Sequence, residues 1–306
     1  NELRVAPEEH YVAITERPFV PNSHREKTLQ IFMEEFNVRG YYTETSGVLG
    51  LLASGLTTGI AIELGAGFCA AVPVYNVRSV SKGMFTLNVA GEDLTNYLVR
   101  LMDQRGVNIA TSTERDIVRK MKETLGFCAA DKEARWKVNG YNYDPQTPGS
   151  QAEKELLLEE SYTIEGICDW KISTERWRCV EPLFNPSLIG MSAYGLSDLL
   201  LITYQNLPKE YRNELMAGIT LMGGTSLFPG LGTRLSDELA NLLPKELKFE
   251  VRSPPQRGIA AWQGASILST LPEFQSMLIS KDEYDEFGPS IVLTKCNQTI
   301  KDPTES

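Results

Sequence analysis

The chain has 306 residues, 42% of them apolar and 23% charged, which excludes a disordered or collagen-like chain and allows one large α/β unit or two smaller ones. Forty acidic against thirty basic side chains give a formal net charge of -10, a balance that repels phosphate backbones and speaks against direct nucleic-acid binding. No apolar run reaches the roughly 20 residues of a membrane span, and the opening Asn1-Glu2-Leu3-Arg4 has no signal-peptide core, so a cytoplasmic or nuclear protein with no membrane partner is expected.

Five cysteines, Cys69, Cys128, Cys168, Cys179 and Cys296, are scattered and never spaced as metal ligands, so reduced thiols and no metal site are expected. Only His10 and His24 are available for a zinc or Ser/His/Asp site, and both read as structural or exposed.

In chain order, Tyr11 to Thr15 reads as a strand. Asn22 to Phe36 reads as a helix, with Leu29, Phe32 and Phe36 on one face. Two β-rich runs, Thr58 to Glu63 and Phe68 to Val74, are joined by Leu64-Gly65-Ala66-Gly67 as a hairpin. Helical spacing returns from Glu92 to Gln104, with Leu94, Leu98, Leu101 and Met102 on one side, and from Thr113 to Phe127. In the latter, Thr113 and Asp116 give a capping-box-like start, Ile117, Met121 and Leu125 form the apolar stripe, and Arg119, Lys122 and Glu123 share the opposite face. Tyr141 to Gln151 has the make-up of a surface loop. Ile219 to Met222 is a β run that stops at Gly223-Gly224-Thr225, after which Pro229 opens a helix carrying Leu231, Leu235, Leu239 and Leu242. Strand, glycine turn and helix make a nucleotide-facing junction in many α/β folds, because free amides at a helix start attract anions. In others the same pattern is a plain tight turn.

Several segments resemble actin in order along the chain: the stretch from Asn1 to His10, Ala53 to Gly59, Ala90 to Thr95, Met222 to Thr225, Ile279 to Glu286 and Gly288 to Val292. The resemblance implies an actin-like, ribonuclease H-like, doubly wound α/β fold whose two lobes close over a nucleotide. About a quarter of an actin lies upstream of the matched stretch, so the first lobe is expected to be incomplete. Residues 1–52 would be its remnant, 53–245 the second lobe with a longer insertion at about 130–174, and 246–306 the return to the first lobe.

The resemblance also implies an ATP or ADP site with Mg weak or absent. Gly65 and Gly67 fall on the second phosphate hairpin, and Gly91, Arg119, Lys122, Glu123, Gly223, Gly224, Thr225, Leu227 and Phe228 on adenosine-facing positions. Glu63 and Ala66 stand where actin has two aspartates that hold the ion through water, and Ser46 and Ala70 where it has the glutamine and histidine that position the attacking water. Little hydrolysis is therefore expected, and no catalytic residue is assigned.

A partner groove is implied at Leu52, Ala53, Gly55, Thr57, Ile267, Leu268, Leu271 and Met277, where amphipathic helices would insert. An apolar plug for contacts between strands of a filament is implied from Asn185 to Leu196. Two functions follow. One is a divergent actin or actin-related protein serving as a structural subunit of a cytoskeletal, axonemal or nuclear assembly, with actin, actin-binding proteins or subunits of a larger complex as partners. The alternative is an ATP-hydrolysing, polymerising actin whose N-terminal part is missing from this chain.

Overall fold

The computed structural model describes residues 5–130, 157–164, 168–296 and 299–300. The strands are β1 (Tyr11–Glu16), β2 (Gly40–Thr45), β3 (Gly59–Leu64), β4 (Cys69–Tyr75), β5 (Arg78–Val80), β6 (Phe85–Leu87), β7 (Glu160–Ile164), β8 (Cys168–Ile172), β9 (Ile219–Met222), β10 (Val251–Arg252), β11 (Ile279–Ser280) and β12 (Thr299–Ile300). The main helices are α1 (Asn22–Gln30), α2 (Ser46–Ala53), α3 (Gly91–Gln104), α4 (Ser112–Leu125), α5 (Leu196–Asn206), α6 (Leu231–Leu242), α7 (Ala260–Ser269) and α8 (Lys281–Phe287).

Among the described residues these strands make two principal sheets. The smaller runs β1-β2-β11, with β1 parallel and β11 antiparallel to β2. The larger runs β10-β9-β3-β4-β5-β12, with β6 added on β4. Its hairpin β3–β4 is antiparallel while β9 joins β3 in parallel, the mixed pattern of an α/β sheet covered by helices. Both β10 and β12 extend this larger sheet, whereas β11, between them in sequence, belongs to the smaller one. The α/β class expected from the sequence is the one observed.

Each sheet has its own core. Leu29, Met33, Tyr41, Leu49, Phe274 and Ile279 pack beneath the smaller sheet, and Ile60, Ile62, Leu64, Leu94, Leu98, Met121 and Leu235 beneath the larger. Helix α2 lies between them and is buried from Ser46 to Leu51. Its glycines explain how it fits. A Cβ on Gly47 would stand 2.8 Å from Val72 Cβ, one on Gly50 would overlap the Met222 thioether, and one on Gly264 of α7 would overlap the Leu49 carbonyl.

Local departures from the sequence reading have local causes. The helix from Asn22 does not run regularly to Phe36: α1 ends at Gln30, and a π-helical turn covers Ile31–Glu35. Leu29 is buried but Phe36 is half exposed, its ring 5.5 Å from that of Phe32. The α4 capping box uses Thr111 and Glu114 rather than Thr113 and Asp116. Thr111 Oγ1 accepts from the Glu114 amide at 3.1 Å, and Glu114 Oε2 accepts from the Thr111 amide at 2.8 Å, so the helix starts earlier. Helix α6 starts at Leu231, and its last leucine, Leu242, is partly exposed. Of the expected insertion, 157–164 and 168–174 are described and include the antiparallel pair β7–β8. The loop expected from Tyr141 to Gln151 lies outside the described residues. No helix among the described residues is long and apolar enough to cross a membrane.

Candidate nucleotide site and partner groove

Three segments that are far apart in sequence meet at one end of the larger sheet. The β3–β4 hairpin turns through Gly65 to Phe68, with the Gly65 amide donating to Phe68 O at 2.8 Å. The start of α3 docks on that turn: the Gly91 amide donates to Gly65 O at 3.0 Å and the Glu92 amide to Ala66 O at 2.7 Å. From the far side, Thr225 Oγ1 donates to Gly65 O at 2.8 Å. Glycine is required at position 91 because a Cβ there would run into the Thr225 hydroxyl.

A cavity of about 550 Å³ opens beside this junction, within the range of small-ligand pockets. Gly91, Arg119, Lys122, Glu123, Gly224, Thr225, Leu227 and Phe228 all line it. Three other expected site residues lie just outside the lining. Gly65 contributes its carbonyl to the junction, Gly67 is exposed at the hairpin tip, and the Gly223 amide donates to Arg257 O at 2.9 Å. Ala66, which sequence reasoning placed at an ion position, is part of the wall, and Glu92, Thr95, Ser112, Arg115 and Asp116, which it missed, complete it. A signal for some of them was present: Ser112, Arg115 and Asp116 continue the helical face of Arg119 by steps of three and four, and Thr95 lies one turn beyond Gly91.

Lys122 corrects the reading of α4. It does not share an exposed face with Arg119 and Glu123 but is buried. Its Nζ donates to Gly91 O at 2.6 Å and Thr95 Oγ1 at 2.9 Å. Desolvation lowers its pKa, and these bonds tie α4 to α3 beneath the cavity floor. Arg119 is exposed and bracketed by Asp116 at 2.6 Å and Glu123 at 3.0 Å, pairs that add little stability in water.

At the positions expected to serve the ion and the attacking water, the side chains engage each other. Ser46 Oγ donates to Glu63 Oε2 at 2.5 Å. Glu63 and Ala70 face each other across the β3–β4 ladder, and Ala70 is fully buried with no polar atom to offer. Burial raises the Glu63 pKa, opposed by the Ser46 hydrogen bond. A partly buried carboxyl that already accepts a hydrogen bond from Ser46 does not suit a hydrated divalent ion. Ala66 supplies no ligand either, and no cluster of three acidic, His or Cys groups able to hold a metal occurs among the described residues. The cavity has the volume of a small-ligand pocket; the Ser46–Glu63 pair does not fit Mg.

The expected groove residues divide between two hollows. Leu52, Leu268 and Met277 line a cavity of about 780 Å³ together with Tyr42, Glu44, Val48, Val77 and Phe287. Ala53 and Ile267 line a second, of about 470 Å³, beside Trp262. Gly55, Thr57 and Leu271 line neither. Leu268 is buried in the core of the smaller sheet as well as reaching the first hollow, while Ile267 and Leu271 are exposed. In the stretch expected as a plug, a 3-10 turn covers Pro186–Ile189, and Leu188 and Tyr194 are exposed. A sequence profile of the actin family matches residues 1–297, and the chain belongs to the actin family.

Proposed function

We propose that this protein is a structural, partner-binding member of the actin family that holds ATP or ADP in the cavity between α3, α4 and the Gly224–Phe228 segment without turning it over. The hydrogen bond between Ser46 and Glu63 carries most of the weight. Hydrolysis needs a water held in line with the terminal phosphate, and here the Ser46 hydroxyl proton is committed to Glu63 while Ala70 has no polar atom to offer. A cytoskeletal assembly in the cytoplasm is the proposed setting, with actin, actin-binding proteins or subunits of a larger complex as partners. The 780 Å³ hollow accepts the apolar face of an amphipathic helix against Leu52, Met277 and Phe287.

The test is to denature purified protein and measure its nucleotide content, then follow phosphate release with added ATP. Bound adenine nucleotide with negligible release is the expected result; turnover like that of a conventional actin would overturn the reading. For the groove, Phe287→Asp places a charge on an exposed part of the lining. It is expected to abolish binding of an amphipathic helical peptide while leaving the melting curve unchanged.

A further inference from the structure

We propose that the helix accepted by the hollow beside Leu52, Met277 and Phe287 carries a basic residue within its apolar face, and that this residue pairs with Glu44. The proposal rests on the groove reading above and adds the charge its partner must present.

Glu44 belongs to β2, a strand buried along its whole length. It is 7% exposed and lines the hollow of about 780 Å³. Its two hydrogen bonds come from neutral donors, Tyr42 Oη at 2.9 Å and the Thr45 amide at 2.8 Å. A carboxylate offers about four acceptor sites, so capacity remains. Among the described residues no cation stands within ion-pair distance of it. Acids are almost never buried without a counter-charge, and a buried strand is served better by an apolar or β-branched residue. An acid kept at the wall of the largest hollow, against both tendencies, points to a cation that arrives from outside.

The charged and titratable groups around Glu44 do not supply that cation. Arg25 of α1 favours its ionised form but is held by Glu16, at the end of β1, at 2.7 Å. Lys295 lines the hollow, yet its Nζ donates to Glu283 Oε1 at 2.5 Å and to the Leu278 carbonyl at 2.6 Å. Arg78 also lines the hollow but is exposed, where solvent screens it. Tyr42 and Cys296 are both neutral near pH 7, because burial raises each above its usual range. A purely apolar helix laid on Leu52, Met277 and Phe287 would seal Glu44 from water with no counter-charge, which is costly. One lysine or arginine among the anchors meets it with a charge-assisted hydrogen bond and selects this partner over apolar ones.

Two amphipathic helical peptides are titrated calorimetrically into the full chain, alike except that a central position of the apolar face is lysine in one and norleucine in the other. At about pH 8 the lysine peptide is expected to bind about tenfold more tightly, the weight of one charge-assisted contact. Burial raises the Glu44 pKa to about 7, so the advantage holds above that value and should be gone at about pH 6, where the carboxyl is mostly protonated. Glu44→Gln should erase the lysine preference at about pH 8, and the pH series on wild type gives the same reading without a variant. The proposal is overturned if the norleucine peptide binds as tightly at about pH 8, or if Glu44→Gln keeps the preference. It is also overturned if the chain dimerises and either peptide reverses this, which makes a second copy the occupant. Failure of both peptides to bind is a different result, which removes the groove reading and this proposal with it.

Discussion

Ser46 and Glu63 form a closed pair, hydroxyl to carboxyl at 2.5 Å, where α2 begins beside the end of β3. The Ser46 hydroxyl proton is thereby committed, and Ala70 opposite Glu63 has no polar atom to orient a water. Steady-state phosphate release is accordingly expected at least about 100-fold below a conventional actin assayed alongside, the usual cost of losing such positioning. A rate within about tenfold of that reference would show that another group positions the water.

Glu44 gives the fold a pH dependence. It is 7% exposed, accepts from Tyr42 Oη at 2.9 Å and from the Thr45 amide at 2.8 Å, and burial pushes its pKa from 4.5 up to about 7. The folded chain therefore binds this proton more tightly than the unfolded one, and stability falls as pH rises through the window from about 4.5 to about 7. Glu44→Gln keeps an acceptor oxygen and removes the titration. The variant should lose less stability between pH 5 and pH 8 than wild type, by up to roughly 3 kcal/mol in denaturant titrations. Parallel pH profiles would refute this.

Val77 occupies a backbone region that β-branched residues avoid. With Asn76 it forms the two-residue turn between β4 and β5, at φ values of 48° and 62°, where the mirror-image hairpin turn favours glycine. Val77→Gly is expected to stabilise the protein by about 1 kcal/mol net of the lost side-chain packing, raising the melting temperature by about 2 °C. A lower melting temperature would mean that the contacts of this valine at the hollow outweigh its strain.

Gly264 should tolerate no side chain. Even the methyl of Gly264→Ala would overlap the Leu49 carbonyl, and since backbone cannot step aside as a side chain can, a loss of about 3 kcal/mol is expected. Ser266→Ala, exposed on the same helix, should change stability by less than about 0.5 kcal/mol. Equal effects of the two substitutions in thermal melts would contradict the close approach of α2 and α7.

What the sequence disclosed was periodic or short-range. The β3–β4 hairpin showed in its glycines, α3 and α4 in their leucine and isoleucine spacing, and eight of the cavity-lining residues in their likeness to a known family. What it hid depended on distant segments meeting. Lys122 looks like a solvated charge on α4, and only the docking of α3 at Gly91 and Thr95 turns it into a buried strut. The Ser46–Glu63 bond joins a helix start to a strand end, a contact that no spacing rule predicts. The groove residues on α7 alternate between core and solvent within a single turn, so Ile267 and Leu268 read alike as letters yet face different surroundings.

The glycine contacts of α2 also limit how this molecule can deform. On one side its backbone seats directly against Val72 and Met222 of the larger sheet, and on the other the Leu49 carbonyl fits the notch left by Gly264. A fit that close blocks translation, because any lengthwise step would drive a neighbouring side chain into main-chain atoms. The contacts at Gly47, Gly50 and Gly264 therefore close off lengthwise sliding of α2 against the larger sheet and α7.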